Sequence, residues 1–80
     1  MTPEDIHQIT FGRAPFGSRG YREREVDELL DVIAAALAGR TVLTSAHLDR
    51  ELPQAPLLTR GYHPDQVDAF LQRVRAEFRI

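Results

Sequence analysis

The chain has 80 residues and a formal net charge of −2, and it contains neither cysteine nor tryptophan. This length accommodates a single domain, residues 1–80, and the lack of cysteine excludes disulfides and thiolate metal sites. Every basic residue other than histidine is an arginine, but acidic residues outnumber them by 12 to 10. That balance argues against nucleic-acid binding, which needs a strongly basic surface.

The sequence indicates neither a secretory signal nor a membrane span. Its N-terminus carries Glu4 and Asp5 and no basic residue, whereas the start of a signal peptide is basic. The longest apolar run, residues 32–38, is far shorter than the ~20 residues of a spanning helix. We therefore expect a cytoplasmic protein that is either soluble or peripheral on the inner face of the plasma membrane.

The first predicted element is a short amphipathic helix within residues 2–9. Thr2 is suited to cap it, Pro3 to occupy its first position, and Asp5 to complete a capping box. A loop rich in glycine and proline follows at residues 12–20.

A longer helix is predicted over residues 23–38 and is stopped by Gly39. Tyr21 and Val26 have the spacing of a hydrophobic staple, and Glu25 stands where it could fold back to the helix cap. Gly20, and likewise Gly61 before the second tyrosine, is expected to adopt a positive φ that aims the loop over the helix.

The same order of elements then recurs, because a shift of 41 residues places residues 15–37 on residues 56–78. The identical pairs include Arg19/Arg60, Gly20/Gly61, Tyr21/Tyr62, Val26/Val67 and Asp27/Asp68. The second copy predicts a short helix within residues 44–52, a loop at 53–61 and a helix over 64–78, with Gln66 in the place of Glu25. We interpret this as an internal duplication with repeats at residues 1–39 and 43–80.

The apolar residues of both long helices step by four, three and four, which is the spacing of a short coiled coil. The predicted helix-packing residues are Leu30, Ile33, Leu37, Leu71, Val74 and Phe78, and Leu29 and Phe70 widen the stripe. The predicted fold is therefore all-α, with two helix–loop–helix repeats whose long helices pair either within one chain, as a pseudo-dimer, or between two chains, as a homodimer.

No catalytic or metal-binding motif is present, and we expect neither an enzyme nor a cofactor. The three histidines His7, His47 and His63 fall in different elements. Asp27 and Asp68 recur at equivalent helix starts, where they complement the helix dipole.

The loops carry the candidate binding residues. Phe16 in the first copy, and Leu57 and Leu58 in the second, each precede an arginine by a few positions. A large apolar side chain beside a cation is the means by which a peripheral protein engages an anionic bilayer. The alternative is that Phe16 and Leu57 fold inward and cap a small core.

The quoted residues resemble the N-terminal motif of the DivIVA family of bacterial cell-division and polar-growth scaffolds. The resemblance rests on Thr2-Pro3-Glu4-Asp5-Ile6-His7, on Arg19-Gly20-Tyr21, and on Arg60-Gly61-Tyr62-His63-Pro64-Asp65-Gln66-Val67-Asp68. Members of this family are parallel coiled-coil dimers that collect on curved membrane and recruit division or wall-synthesis proteins. In this family a loop phenylalanine and the arginine before Gly-Tyr contact the membrane. The resemblance therefore implies membrane contact by Phe16 and Arg19, and by Leu57 or Leu58 with Arg60 in the second copy.

Three departures from the family pattern qualify the resemblance. Gly17 and Ser18 separate Phe16 from Arg19, the second copy has no aromatic residue in its loop, and the 80 residues include no long coiled coil like that of the family. The chain thus resembles a duplicated family head. One chain could supply both halves of a head that the family forms from two chains. A sixteen-residue helix is ~24 Å long, and the segment between the two long helices is long enough to run back over that distance, so that the helices can lie parallel.

Two classes of function follow from this interpretation. The first is a DivIVA-like accessory protein of cell division or envelope growth that docks on membrane, protein partners or both. The second is an interaction module that binds a scaffold or division partner without touching membrane.

Overall fold

The computed structural model describes residues 1–56 and 59–80, and within them the chain forms four helices and no strand. The helices are α1 (Pro3–Gln8), α2 (Glu23–Leu37), α3 (Ser45–Asp49) and α4 (Pro64–Phe78). This confirms the all-α fold class and places both long helices within one residue of their predicted bounds. None of the helices in the described part is long and apolar enough to cross a bilayer.

Local sequence signals explain where the short helices begin. The Thr2 N–H donates to Asp5 Oδ2 at 2.9 Å, and the Asp5 N–H donates to Thr2 Oγ1 at 3.2 Å, so the predicted capping box of α1 is confirmed. At α3 the equivalent donor, the Thr44 N–H, donates to His47 Nδ1 at 3.0 Å. Each short helix also packs against the long helix that follows it in the chain.

All four helices contribute to one hydrophobic core. Its buried members are Ile6, Leu29, Ile33, Ala34, Leu43, Leu48, Phe70 and Val74. Ile33 and Val74, two of the predicted packing residues, are fully buried, whereas Leu30, Leu37, Leu71 and Phe78 are partly buried against this core. Leu29 and Phe70, predicted only to widen the stripe, are themselves buried members of the core.

A second buried group lies at the end of the molecule where the long helices begin. It contains Val26, Val67, Ala14 and Ala55. The valines come from the first turns of α2 and α4, but both alanines come from the loops. The loops are therefore structural at their bases, and this end of the molecule holds the candidate site.

Candidate docking site

The two loops cross each other and are joined through their backbones. The Tyr21 N–H donates to the Tyr62 carbonyl at 3.1 Å, and the Tyr62 N–H donates back to the Tyr21 carbonyl at 3.0 Å. On either side of this pair, the Ala14 N–H donates to the Gly61 carbonyl at 3.1 Å and the Ala55 N–H donates to the Gly20 carbonyl at 2.7 Å. These contacts are reciprocal, because Ala14 and Ala55, like Gly20 and Gly61, are 41 positions apart.

Glycine is required at the crossing because the backbones approach too closely for a side chain. A Cβ at Gly20 would lie 2.2 Å from the Tyr62 carbonyl oxygen, and one at Gly61 would lie 2.4 Å from the Tyr21 carbonyl oxygen. The positive φ expected at both glycines occurs only at Gly61, where φ is 67°. The expectation for Gly20 was wrong. Glycine is required at this position because the backbone of the opposite loop approaches closely, and not because of a positive φ.

The arginines before the two glycines also reach across the crossing. Arg19 Nε donates to the Ala55 carbonyl at 3.0 Å, and Arg60 Nε donates to the Ala14 carbonyl at 2.7 Å. Each arginine thus satisfies a carbonyl of the opposite loop. This gives the recurrent cation a structural role in addition to the binding role that the resemblance implies.

Phe16 lies at the tip of the first loop and is 88% exposed. The turn beneath it is held by Ser18 Oγ, which donates to the Pro15 carbonyl at 2.9 Å, and by Gly17 at φ 85°. The Arg60 guanidinium carbon lies 4.4 Å from the centre of the Phe16 ring, a cation–π distance. Phe16 is therefore outside the core and paired with a cation from the other loop. Leu57 and Leu58, its predicted counterparts, lie outside the described residues.

Both tyrosine hydroxyls bind a carboxylate of the opposite repeat. Tyr21 Oη donates to Asp68 Oδ1 at 2.8 Å, and Tyr62 Oη donates to Asp27 Oδ1 at 3.0 Å. Burial, followed by these hydrogen bonds, raises the pKa of Tyr21 and of Tyr62 to about 12. The two aspartates therefore join the repeats by hydrogen bonds in addition to complementing a helix dipole. The sequence signal for this role was that aspartate and tyrosine recur together in both copies. The staple contacts with Val26 and Val67 remain a prediction.

The two repeats differ at the third residue of their long helices. Gln66 Oε1 accepts from the Gly12 N–H at 2.7 Å, so its amide reaches the opposite loop instead of folding back to its own helix cap. Gly12 is replaced in the second copy by Pro53, which has no N–H to donate. Glu25, the counterpart of Gln66, has a buried Oε2 with no hydrogen-bond partner in the described part of the chain. The return to the helix cap that was expected for both residues does not occur.

In the described residues, the ring of Phe11 from the first copy packs on two aromatic rings of the second copy. The Phe11 ring lies 5.5 Å from the Tyr62 ring and 5.8 Å from the Phe70 ring, measured between centroids. Leu52 and Leu29 occupy the corresponding positions on the other side. In the described residues no group of three acidic or histidine side chains is placed to hold a metal ion.

The chain is similar in sequence to bacterial proteins named as cell wall synthesis proteins. It is 48% identical to "Cell wall synthesis protein Wag31" of Mycobacterium tuberculosis over an alignment of 80 positions, which covers 81% of this chain and 31% of the relative. The proteins of the same name from Mycobacterium leprae and Mycolicibacterium smegmatis are 48% identical over 33 residues, which cover 41% of this chain and 12% of each relative. The chain thus spans less than a third of the length of these relatives. No protein-family model and no solved structure matches it.

Proposed function

We propose that this chain is a DivIVA-type docking head that serves bacterial cell-wall synthesis or cell division, and that its first loop contacts an anionic membrane surface. Homology to a cell wall synthesis protein supports the biological setting. The membrane contact is carried by one observation: Phe16 is 88% exposed at a loop tip, with the Arg60 cation against its ring. The role is docking and not catalysis, on the cytoplasmic face of the membrane.

The energetics of such a contact are those of a weak, reversible anchor. Burial of one phenylalanine side chain contributes about 1.5–3 kcal/mol, and a cation near an anionic surface contributes about 1 kcal/mol. A single tip therefore binds weakly, and several heads presented together bind far more tightly through avidity. The proposed protein partner is accordingly a DivIVA-type scaffold or a division protein that gathers several copies.

The proposal includes an architecture in which one chain supplies both halves of the head. The reciprocal contacts of the loops support it. Arg19 and Arg60 each bind a carbonyl of the opposite repeat, and Tyr21 and Tyr62 each bind a carboxylate of it, so that the opposite repeat takes the place of a second chain. With these contacts made internally, no second copy is needed to complete the fold. The two sequence repeats are then halves of a pseudo-dimer that arose by tandem duplication.

This architecture predicts the state of the free protein in solution. We expect the chain to sediment as a monomer across a hundredfold range of concentration, with an unfolding midpoint that does not depend on concentration. Sedimentation velocity together with thermal melts monitored by circular dichroism checks this. A midpoint that rises with protein concentration would show that the halves pair between chains, as a homodimer.

Binding to vesicles tests the proposed function. Phe16→Ala should weaken binding to phosphatidylglycerol vesicles at least tenfold, because the apolar insertion is lost. The melting temperature should not change, since the ring is outside the core. Val42→Ala is the matched control: Val42 is also exposed, at 77%, but it follows α2 at the end distant from the loops.

The salt dependence separates the two parts of the contact. The phenylalanine contribution should persist as salt rises, whereas the arginine contribution should fall, because exposed charges are screened over ~10 Å at 0.1 M salt. Wild-type protein that stays in the supernatant throughout a titration of anionic lipid would refute the membrane contact. The interaction module without a membrane role would then be the supported function.

A further inference from the structure

Three aromatic rings meet on one side of the crossed loops, which we call the first side. The Phe11 ring packs on Tyr62 in a tilted arrangement and on Phe70 in an edge-on arrangement. Aromatic rings attract one another in these geometries. Phe11 therefore covers the ring of a motif tyrosine and joins the first loop to α4.

The second side of the crossing is related to the first by the shift of 41 residues and has only one of the three rings. Tyr21 is the motif tyrosine of this side. Two leucines, Leu52 and Leu29, stand at the positions of the two phenylalanines. In the part of the chain that the structure describes, no aromatic ring packs on Tyr21. This tyrosine thus lacks the aromatic contact that its counterpart has.

A groove of about 850 Å³ lies against Tyr21 on the second side. Its apolar walls come from Leu48, Leu52 and Pro53 of the second copy's first half, and from Leu71 of α4. Leu52 and Leu71 are only partly buried, so both leave apolar surface open to the groove. The groove is therefore an uncovered apolar surface at the place where the second side has a leucine instead of a phenyl ring.

The charged residues of the groove balance one another. Its lining contains two guanidinium groups, Arg19 and Arg50, and two carboxylates, Glu51 and Asp68. Arg19 and Asp68 already form hydrogen bonds that hold the crossing, so the groove is continuous with the interface between the repeats. Arg50 and Glu51 are exposed. A lining without net charge does not select a charged ligand, and its selectivity is for apolar surface.

We propose that this groove binds an aromatic side chain of a protein partner, which packs on Tyr21 as Phe11 packs on Tyr62. The first side shows which occupant fits, because the two sides are built from equivalent residues and the ring of Phe11 is the part that the second side lacks. An aromatic side chain also covers a large area at a low cost in conformational entropy. Since Phe11 fills the first side from within the chain, each head binds one such side chain.

The proposal rests on the docking role proposed above, but it does not depend on membrane contact by Phe16. It assigns the protein partner to one side of the head, whereas the membrane contact belongs to the loop tip. A homodimer of identical halves would present the same surface on both sides of its two-fold axis. The divergence of the two repeats gives this head a single partner-binding side.

The test is a titration of isotope-labelled protein with N-acetylphenylalaninamide, followed by the shifts of the backbone amide resonances. The shifts should saturate with one molecule bound, and should be largest at Leu48, Leu52 and Leu71. N-acetylleucinamide should bind roughly tenfold more weakly, because it cannot form an aromatic pair with Tyr21. Equal binding of the two compounds, or shifts that do not saturate at these residues, would overturn the proposal.

Two variants of the groove sharpen the test. Gln54→Trp places a large ring on an exposed residue of the lining and should prevent probe binding, whereas Gln72→Trp makes the same change on an exposed residue of α4 outside the lining and should bind as the wild type does. Leu52→Phe restores the missing ring from within the chain and should weaken probe binding roughly tenfold. A Leu52→Phe variant that binds the probe as tightly as the wild type would contradict the proposed occupant.

The outcomes for the groove and for the proposed membrane contact are distinct. Phe16→Ala should bind the probe as the wild type does. If the wild type binds anionic vesicles but not the probe, the groove proposal is wrong and the proposed function survives. If the wild type binds the probe and ignores vesicles, the membrane contact is wrong and the groove proposal survives. If the wild type self-associates and Phe16→Ala is monomeric, the occupant is the loop tip of a second copy, and the assignment to a different protein is overturned.

Discussion

Gly20→Ala is expected to destabilise the protein by about 3–5 kcal/mol, and to lower its melting temperature by more than about 10 °C. The added Cβ would lie 2.2 Å from the Tyr62 carbonyl oxygen and 2.5 Å from the Arg60 carbonyl oxygen. Both are backbone atoms of the opposite loop, so relief requires the crossing to open and its hydrogen bonds to be lost. The free energy of unfolding of a domain is about 5–15 kcal/mol, and for a chain as short as this one it lies toward the low end of that range. Thermal unfolding monitored by circular dichroism measures the effect.

Two other glycines separate close approach from backbone conformation. A Cβ at Gly12 would meet Gln66 at the ordinary distance of 3.4 Å, so Gly12→Ala should change stability by less than about 1 kcal/mol. Gly39 has a φ of 77° but nothing within 4 Å of a built Cβ, and Gly39→Ala should cost about 1–2 kcal/mol from φ alone. If Gly20→Ala melts no lower than Gly39→Ala, the crossing is not the element that holds the loops together.

The helices were predictable because local signals specify them. The apolar stripe, the Pro64 start and the Gly39 stop place the long helices at residues 23–38 and 64–78, and the structure has Glu23–Leu37 and Pro64–Phe78. The core residues of those helices followed from the same periodicity. Ala14 and Ala55 were not predicted as core, since a small residue in a loop rich in glycine and proline carries no periodic signal.

The candidate site was only half predictable. The recurrence of arginine, glycine and tyrosine indicated which residues matter, but their contacts depend on the crossing of two loops that are 41 residues apart in sequence. Gln66 is an example. From its position in the helix, its amide was expected to bind its own helix cap, but in the structure its Oε1 accepts a hydrogen bond from the Gly12 N–H of the other repeat. The exposure of Phe16 is likewise a property of the crossing, because the loop bases fill the core with alanine and leave the tip outside.

Raising the pH should unfold the protein through its tyrosines. Tyr21 and Tyr62 are the only tyrosines of the chain, and both hydroxyls donate to a carboxylate of the opposite repeat. Their pKa is about 12 in the folded protein, raised chiefly by burial and then by the hydrogen bonds, against about 10 in an unfolded chain. The folded state therefore holds these two protons more tightly than the unfolded state does.

The direction of the pH dependence follows from linkage. Below pH 10 both states keep the protons, and the stabilisation from the neutral hydroxyls is fully present. Between pH 10 and pH 12 the unfolded chain releases them while the folded chain does not, so stability falls as pH rises and the contribution is lost once the pH passes 12. The chain contains neither lysine nor cysteine, whose ordinary pKa values would lie close to this window.

Two measurements check this expectation on the same sample. The near-ultraviolet absorbance of tyrosinate should rise near pH 12 rather than near pH 10, and urea unfolding should become easier from pH 10 upward. Asp68→Asn removes the negative charge that Tyr21 Oη faces, and should lower the pKa of Tyr21 while leaving that of Tyr62 raised, because Tyr62 pairs with Asp27. Tyr21→Phe leaves a single titrating hydroxyl and identifies which one moved. Tyrosinate that forms near pH 10 without loss of helicity would show that the hydroxyls are free in solution and that the repeats are not joined by them.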